Sequence, residues 1–281
     1  SSAAQMCIRD SFSRMQPEYI ELAILNNLIL NLSSLDDMEH LNSYFSRYGK
    51  CPRFHIKFDT GMTRLGVNIS DAGSLLDKIA SSEGIYPEGI YSHFATADEG
   101  DISYTEHQLS QFNSVLEMAK KYNIHFKYVH CSNSGSILNL PQSYFNMVRV
   151  GMLIYGVAPS KDVSMDIVVE PVMSFCGSIV ELRRVPKGTQ VSYGGIYSTN
   201  KETTIGVVQT GFADGFPRPW FQNGFVSYKG QSYKIAGRVC MDQLMVDFGD
   251  ETPIIGDDVL FFAVSYTHLR AHETRHDLVC R

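Results

Sequence analysis

Arg64 stands in the run Phe58-Asp59-Thr60-Gly61-Met62-Thr63-Arg64-Leu65-Gly66, and Arg149 in Met147-Val148-Arg149-Val150-Gly151. A guanidinium is never deprotonated in proteins and only donates hydrogen bonds. It suits a bidentate grip on a carboxylate, or a strand-end salt bridge, and not proton transfer. Tyr193, in Ser192-Tyr193-Gly194, is a phenol. With a reference pKa of about 10, it is a base at neutral pH only beside a cation or a hydrogen-bonding partner. Lys57 lies in His55-Ile56-Lys57-Phe58-Asp59, just before the first arginine run, and Met241 and Asp242 fall in Cys240-Met241-Asp242-Gln243. His93, in Tyr91-Ser92-His93-Phe94-Ala95-Thr96-Ala97-Asp98, reads equally as a structural histidine at a strand end. Ser134, in Cys131-Ser132-Asn133-Ser134, reads as a helix cap and Gly151 as a tight-turn glycine, or both as phosphate contacts.

The elements that must position these groups alternate up to about residue 155. Apolar steps of three and four predict helices near 17–26, 35–45, 75–79 and 109–119, with a short one after Ser134. Short apolar runs between them predict strands over 28–32, 53–58, 90–94, 126–130 and 146–150. Five parallel strands make either an open doubly wound sheet or part of an eight-stranded barrel, which takes roughly 250 residues when complete. After about residue 165 the helical period is lost. Strands are predicted over 173–185, 244–248 and 259–262, and Lys229-Gly230-Gln231 joins 225–228 to 232–235 as a hairpin. A second, all-β domain follows the first.

Composition narrows the function classes. A net charge of −6 over 281 residues, with no long basic run, argues against nucleic-acid binding. The most apolar early stretch, Leu22 to Leu32, is broken by Asn26 and Asn27 and is too short for a membrane span. No signal peptide is evident, so no membrane association is expected. The six cysteines are scattered and never paired as C-x-x-C, which points to free thiols in a reducing cytoplasm. His272-Glu273-Thr274-Arg275-His276 matches H-E-x-x-H but has no downstream third ligand, so no metal site is expected.

In their order, the four runs around Arg64, Arg149, Tyr193 and Met241 resemble the active-site framework of the alanine racemases, pyridoxal-phosphate enzymes of fold type III. The resemblance covers about residues 17–263. It implies part of a (β/α)8 TIM-type barrel over 12–163, with 146–150 as its eighth strand, followed by a C-terminal β domain over 164–263. It leaves 1–11 and 264–281 as a foreign leader and tail, so the chain reads as truncated at both ends. The implied activity is interconversion of L- and D-alanine for cell-wall precursors, in a cytoplasmic homodimer. The resemblance assigns Ser134 and the amides of Gly151 and Met152 to the cofactor phosphate, Arg149 to the pyridine nitrogen, and His93 to the side of the ring. It makes Tyr193 the base on the L-enantiomer's face, reaching in from the partner subunit. Arg64 takes the substrate carboxylate, and Lys57, carbamylated, orients it. Met241 offers a backbone contact to substrate, with Asp242 beside it. The family's cofactor-holding lysine, in a Lys-Ala-Asn-Ala-Tyr-Gly-His-Gly-like stretch, has no counterpart in these 281 residues, so the chain as given is expected to be inactive. Phe212 in Gly211-Phe212-Ala213-Asp214-Gly215 replaces the family's usual tyrosine and removes a hydroxyl near the substrate entrance. A serine or broad-specificity racemase of the same fold, a non-catalytic pyridoxal-phosphate-binding protein and an inert interaction module are the alternatives.

Overall fold

The computed structural model describes residues 13–165 and 167–262. The expected foreign leader over 1–11, the tail over 264–281 and the H-E-x-x-H run lie outside the described residues. The chain divides into two compact units between Val169 and Glu170.

The first unit alternates helix and strand: α1 (Ile20–Leu25), β1 (Ile29–Leu32), α2 (Leu35–Tyr48), β2 (Arg53–Asp59), β3 (Val67–Asn68), α3 (Ala72–Ser81), β4 (Gly89–Tyr91), α4 (Ser103–Lys121), β5 (Tyr128–His130) and α5 (Ser134–Asn139). Local chemistry sets the boundaries. Ser34 caps α2 by accepting from the Asp37 N–H at 3.1 Å, and Gly49 ends it at φ 63°. The longer helices bury one stripe each, as α4 does with Leu109, Phe112, Val115 and Ala119.

The strands form a parallel sheet in the order β1-β2-β4-β5, with β3 paired to β2. Asn31, His55, Gly89 and Tyr128 stand side by side in register, and Lys57, Tyr91 and His130 form the next rank. Side chains alternate along a strand, so both ranks project from one face. The other face carries Leu30, Leu32, Phe54, Ile56, Phe58 and Ile90, all buried in the core under the helices. The sheet is thus apolar on its helix side and polar within.

The segment 146–150 is not a strand, contrary to expectation. It lies along β5 with an irregular backbone: Val129 N–H donates to the Asn146 side chain at 2.8 Å, and Arg149 N–H to Ser132 O at 3.0 Å. A side-chain oxygen takes the place of one rung, so no regular ladder forms. The two-residue β3, not expected from the pattern, exists because the chain doubles back to pair with β2.

The second unit is all β: β6 (Phe175–Val185), β7 (Gln190–Val191), β8 (Tyr197–Ser198), β9 (Thr203–Val208), β10 (Phe225–Tyr228), β11 (Gln231–Ile235), β12 (Leu244–Gly249) and β13 (Asp258–Phe262). Six of these close into a barrel in the order β10-β11-β12-β9-β6-β13, while β7 and β8 pair separately. Its core includes Phe216, Val226, Leu244, Val246, Phe248 and Phe261. The expected hairpin turns on Lys229 and Gly230 at φ 47° and 88°, both left-handed, as a two-residue turn between twisted strands requires.

Candidate active site

Arg149 is the hub of the first unit's polar face. Its guanidinium donates to Ser92 O at 2.7 Å and Cys131 O at 3.1 Å, and it reaches His93 Nδ1 at 3.2 Å and His130 Nδ1 at 2.5 Å. Because arginine only donates, both imidazole Nδ1 atoms must accept and both rings carry their proton on Nε2. His130 Nε2 lies 3.0 Å from His55 Nδ1, so the tautomer is passed on to His55. Among the described residues, the buried His55 Nε2–H has no hydrogen-bond partner.

Electrostatics agree with neutral rings. Burial, then the nearby Arg149, Arg64 and Lys57 cations, lower the His93 pKa to about 3. Burial lowers His55 to about 4, against the pull of Glu88. Burial, then Arg149 and His55, holds His130 well below the ordinary histidine range.

Lys57 is 2% exposed, and its Nζ sits 5.7 Å from the centre of the Tyr91 ring. Burial first, then Arg64 and Arg149, lower its pKa to about 8, opposed by Asp59. A fraction of this amine is therefore uncharged near neutral pH. The Tyr91 ring also stacks on His130 at 4.8 Å, lies 5.3 Å from the Arg149 guanidinium carbon, and donates its hydroxyl to Asn31 Oδ1 at 2.9 Å. Arg64 is exposed on the loop that leaves β2.

Asn133 caps α5, and Ser134 opens it. Ser134 Oγ accepts from the Gly151 N–H at 3.0 Å and from the Leu153 N–H at 3.4 Å, leaving the hydroxyl hydrogen for a further acceptor. A Cβ on Gly151 would come no nearer than 3.8 Å to that oxygen, and Met152 heads the short 3-10 turn Met152–Tyr155. One hydroxyl donor, a turn rich in amides and a donor-only guanidinium a few residues away make a donor set that fits a phosphorylated pyridine.

The second unit brings the remaining predicted residues onto two adjoining loops. Tyr193 is 65% exposed in a turn where Ser192, Gly194 and Gly195 all have left-handed φ of 66°, 76° and 55°. Ser192 Oγ ties that turn to Arg238 O at 2.7 Å and lies 3.9 Å from Cys240 Sγ. Met241, 62% exposed, has its carbonyl taken by the Ala213 N–H at 2.8 Å. A Cβ at Gly211 would overlap the Met241 backbone, so glycine is what lets these loops touch. Asp242 is exposed beside Met241. Phe212 lies on the same ridge, with Arg218 5.5 Å above its ring.

The predicted residues of the first unit fall into two groups, Lys57–Arg64–His93–Arg149 and Ser134–Gly151–Met152. Pattern reading missed His55, Tyr91, His130 and Asn31. For the first three the signal was the two-residue alternation His55-x-Lys57-x-Asp59, Tyr91-x-His93 and Tyr128-x-His130, polar where a barrel interior is ordinarily apolar; Asn31, alone among Ile29, Leu30 and Leu32, carried none.

Comparison with known proteins follows the same division. The N-terminal domain model of alanine racemase matches residues 5–159, and the C-terminal domain model matches 172–278. The alanine racemase of Halothermothrix orenii is 36% identical over 273 residues, covering 94% of this chain and 72% of the relative. That of Desulfovibrio desulfuricans is 34% identical over 247 residues, covering 88% and 67%. The alanine racemase structure from Clostridium difficile 630 superposes with a TM-score of 0.84 at 32% identity, over 90% of this chain and 67% of that one. A Bartonella henselae alanine racemase described with covalently bound pyridoxal phosphate gives 0.81 at 25% identity, over 93% and 74%. The chain spans 67% of the length of two of these relatives, and it belongs to the alanine racemase family.

Proposed function

We propose that this chain is a fragment of a pyridoxal-phosphate-dependent racemase that, when complete, interconverts L- and D-alanine for cell-wall precursors as a cytoplasmic homodimer. The barrel segment is taken as 12–163 and the β domain as 164–263. The observation that carries the reading is the donor-only hub at Arg149, with Lys57, Arg64 and His93 gathered around it.

When bound, pyridoxal phosphate supplies the electron sink for the carbanion left by loss of the α-proton. Ser134, with the amides of Gly151 and Met152, would hold the phosphate. Arg149 would face the pyridine nitrogen; a guanidinium does not give up its protons, so it would leave that nitrogen unprotonated and the sink weaker, which would disfavour transamination. His93 would flank the ring. Arg64 holds the substrate carboxylate in a charge-assisted pair. Tyr193, reaching in from the partner subunit, would move the proton on the L-face, with Asp242 and the Met241 backbone beside the substrate. Lys57 is carbamylated: its uncharged amine adds to carbon dioxide, forming an N–C bond and releasing one proton. The two guanidiniums that disfavour its ammonium form favour the resulting anion. A mass increase of one carbon dioxide, with a carbon-13 carbamate signal lost in Lys57→Ala, tests that step.

Expressed as given and supplied with pyridoxal phosphate, the polypeptide should not turn over alanine, because no Lys-Ala-x-Ala-Tyr-Gly-like stretch occurs in it. Coupled D-alanine detection checks this, and turnover above a Tyr193→Phe control would overturn it. A chimera that adds the segments of the C. difficile relative outside the match should racemise alanine, and lose that activity in Tyr193→Phe.

A further inference from the structure

Asp59 ends β2 on the same face as Lys57 and His55, two and four residues earlier. One of its carboxylate oxygens, Oδ1, accepts from three successive backbone amides, Gly61 at 2.9 Å, Met62 at 2.9 Å and Thr63 at 3.0 Å. Charge-assisted bonds of this kind are shorter and stronger than neutral ones, and three to one atom wrap the chain around it. Thr63 is held at φ 54°, a left-handed conformation that a β-branched residue seldom adopts.

Two further contacts close the loop. The Tyr104 hydroxyl, in the first turn of α4, donates to Gly61 O at 3.0 Å, and Gly61, at φ 132°, lies so close to that ring that a Cβ would overlap it. At the other end, a Cβ on Gly66 would come within 2.6 Å of the Asp59 backbone nitrogen. The chain then rejoins the strand it left, Phe58 pairing with Val67 and Asp59 with Asn68. Residues 60–66 are thus pinned from inside by a carboxylate, from outside by a phenol and at the base by a parallel bridge. Arg64 is the exposed cation this scaffold presents.

We propose that Asp59 and Tyr104 are positioning residues that set the Arg64 guanidinium in place before substrate arrives. The inference rests on the reading of Arg64 as the carboxylate-binding residue. Preordering removes a loop-ordering cost from binding, so the effect falls on KM more than on kcat.

The test begins with the chain itself. In Asp59→Ala, the amides of 61–63 should exchange with solvent about tenfold faster or more, and trypsin should cut faster after Arg64. Asp59→Asn, which keeps a side-chain oxygen, should restore most of the protection. Tyr104→Phe, on the exposed side, should give a smaller increase and serves if Asp59→Ala does not fold. In the chimera, Asp59→Ala and Tyr104→Phe should both raise the KM for L-alanine with cofactor absorbance unchanged. Unchanged exchange and cleavage in both variants would overturn the proposal. So would a loosened loop with unchanged KM when Arg64→Ala raises it. If Arg64→Ala itself leaves KM unchanged, the assignment of Arg64 fails, and with it the role given to the clamp.

Discussion

At the scale of single residues, function here is a matter of which atoms can only give and which can only take. Arg149 can only donate, and that one fact propagates through His130 to His55 as a fixed tautomer. It carries a pH consequence. An unfolded chain protonates these imidazoles near pH 6.5, whereas folded His55 waits until about pH 4 and folded His130 lies lower still in direction. The unfolded state therefore binds more protons below about pH 6.5. Stability is intact above that point and falls as pH drops, by up to about 1.4 kcal/mol per pH unit for each ring. Urea midpoints from about pH 7.5 down to about pH 5 should show the fall, and His55→Gln should flatten it; equal slopes would contradict the tautomer chain. In the chimera, Arg64→Ala should raise the L-alanine KM by about 10- to 100-fold, the worth of a charge-assisted pair at about 1.5–3 kcal/mol. Cofactor absorbance should be unchanged, which a spectrum of the loaded protein checks.

At the scale of elements, the pattern was legible wherever a stripe or an alternation ran its full length. The helices carrying Leu41, Leu75 and Phe112, and the strands at 29–32, 53–59 and 244–249, follow directly from apolar spacing. The strand expected at 146–150 failed because periodicity cannot distinguish an apolar run that pairs by backbone from one in which an asparagine side chain substitutes for a rung. β9 was missed, and so was the closed barrel, because closure depends on pairing between strands far apart in the chain. The polar ranks behind the site were missed for a different reason: burial of His130 and Asn31 runs against composition, and only the sheet register shows that they project from the same face. The short helix α5 offers a sharp test of packing. A Cβ on Gly135 would lie 2.7 Å from the Asp98 nitrogen and 2.8 Å from the Ala97 oxygen, both rigid backbone. Gly135→Ala should cost roughly 1–3 kcal/mol as overpacking and shift Ser134. Denaturant midpoints read the first effect, and weakened phosphate binding the second.

At the scale of the whole molecule, the two units treat their sheet edges in opposite ways. Among the described residues, the parallel sheet of the first unit is open, with β1 and β5 at its margins and Asn146 covering part of β5. Open margins with free backbone groups recruit other chains. Light scattering should therefore show association of the chain by itself, reduced in the chimera. A monodisperse sample that unfolds cooperatively would contradict this.

The barrel of the second unit has no such margin, and its closure sets a timetable. The seam joins β6 to β13, with Ser178 Oγ meeting Asp258 Oδ1 at 2.6 Å across 80 residues. During synthesis β6 emerges early and finds no partner for its outer edge until the last described strand has left the ribosome. The first unit, whose pairings are all nearer in sequence, can settle in the meantime, while the second waits on its own final residues. Nascent chains stalled just short of β13 should show a protease-resistant first unit and a sensitive second one.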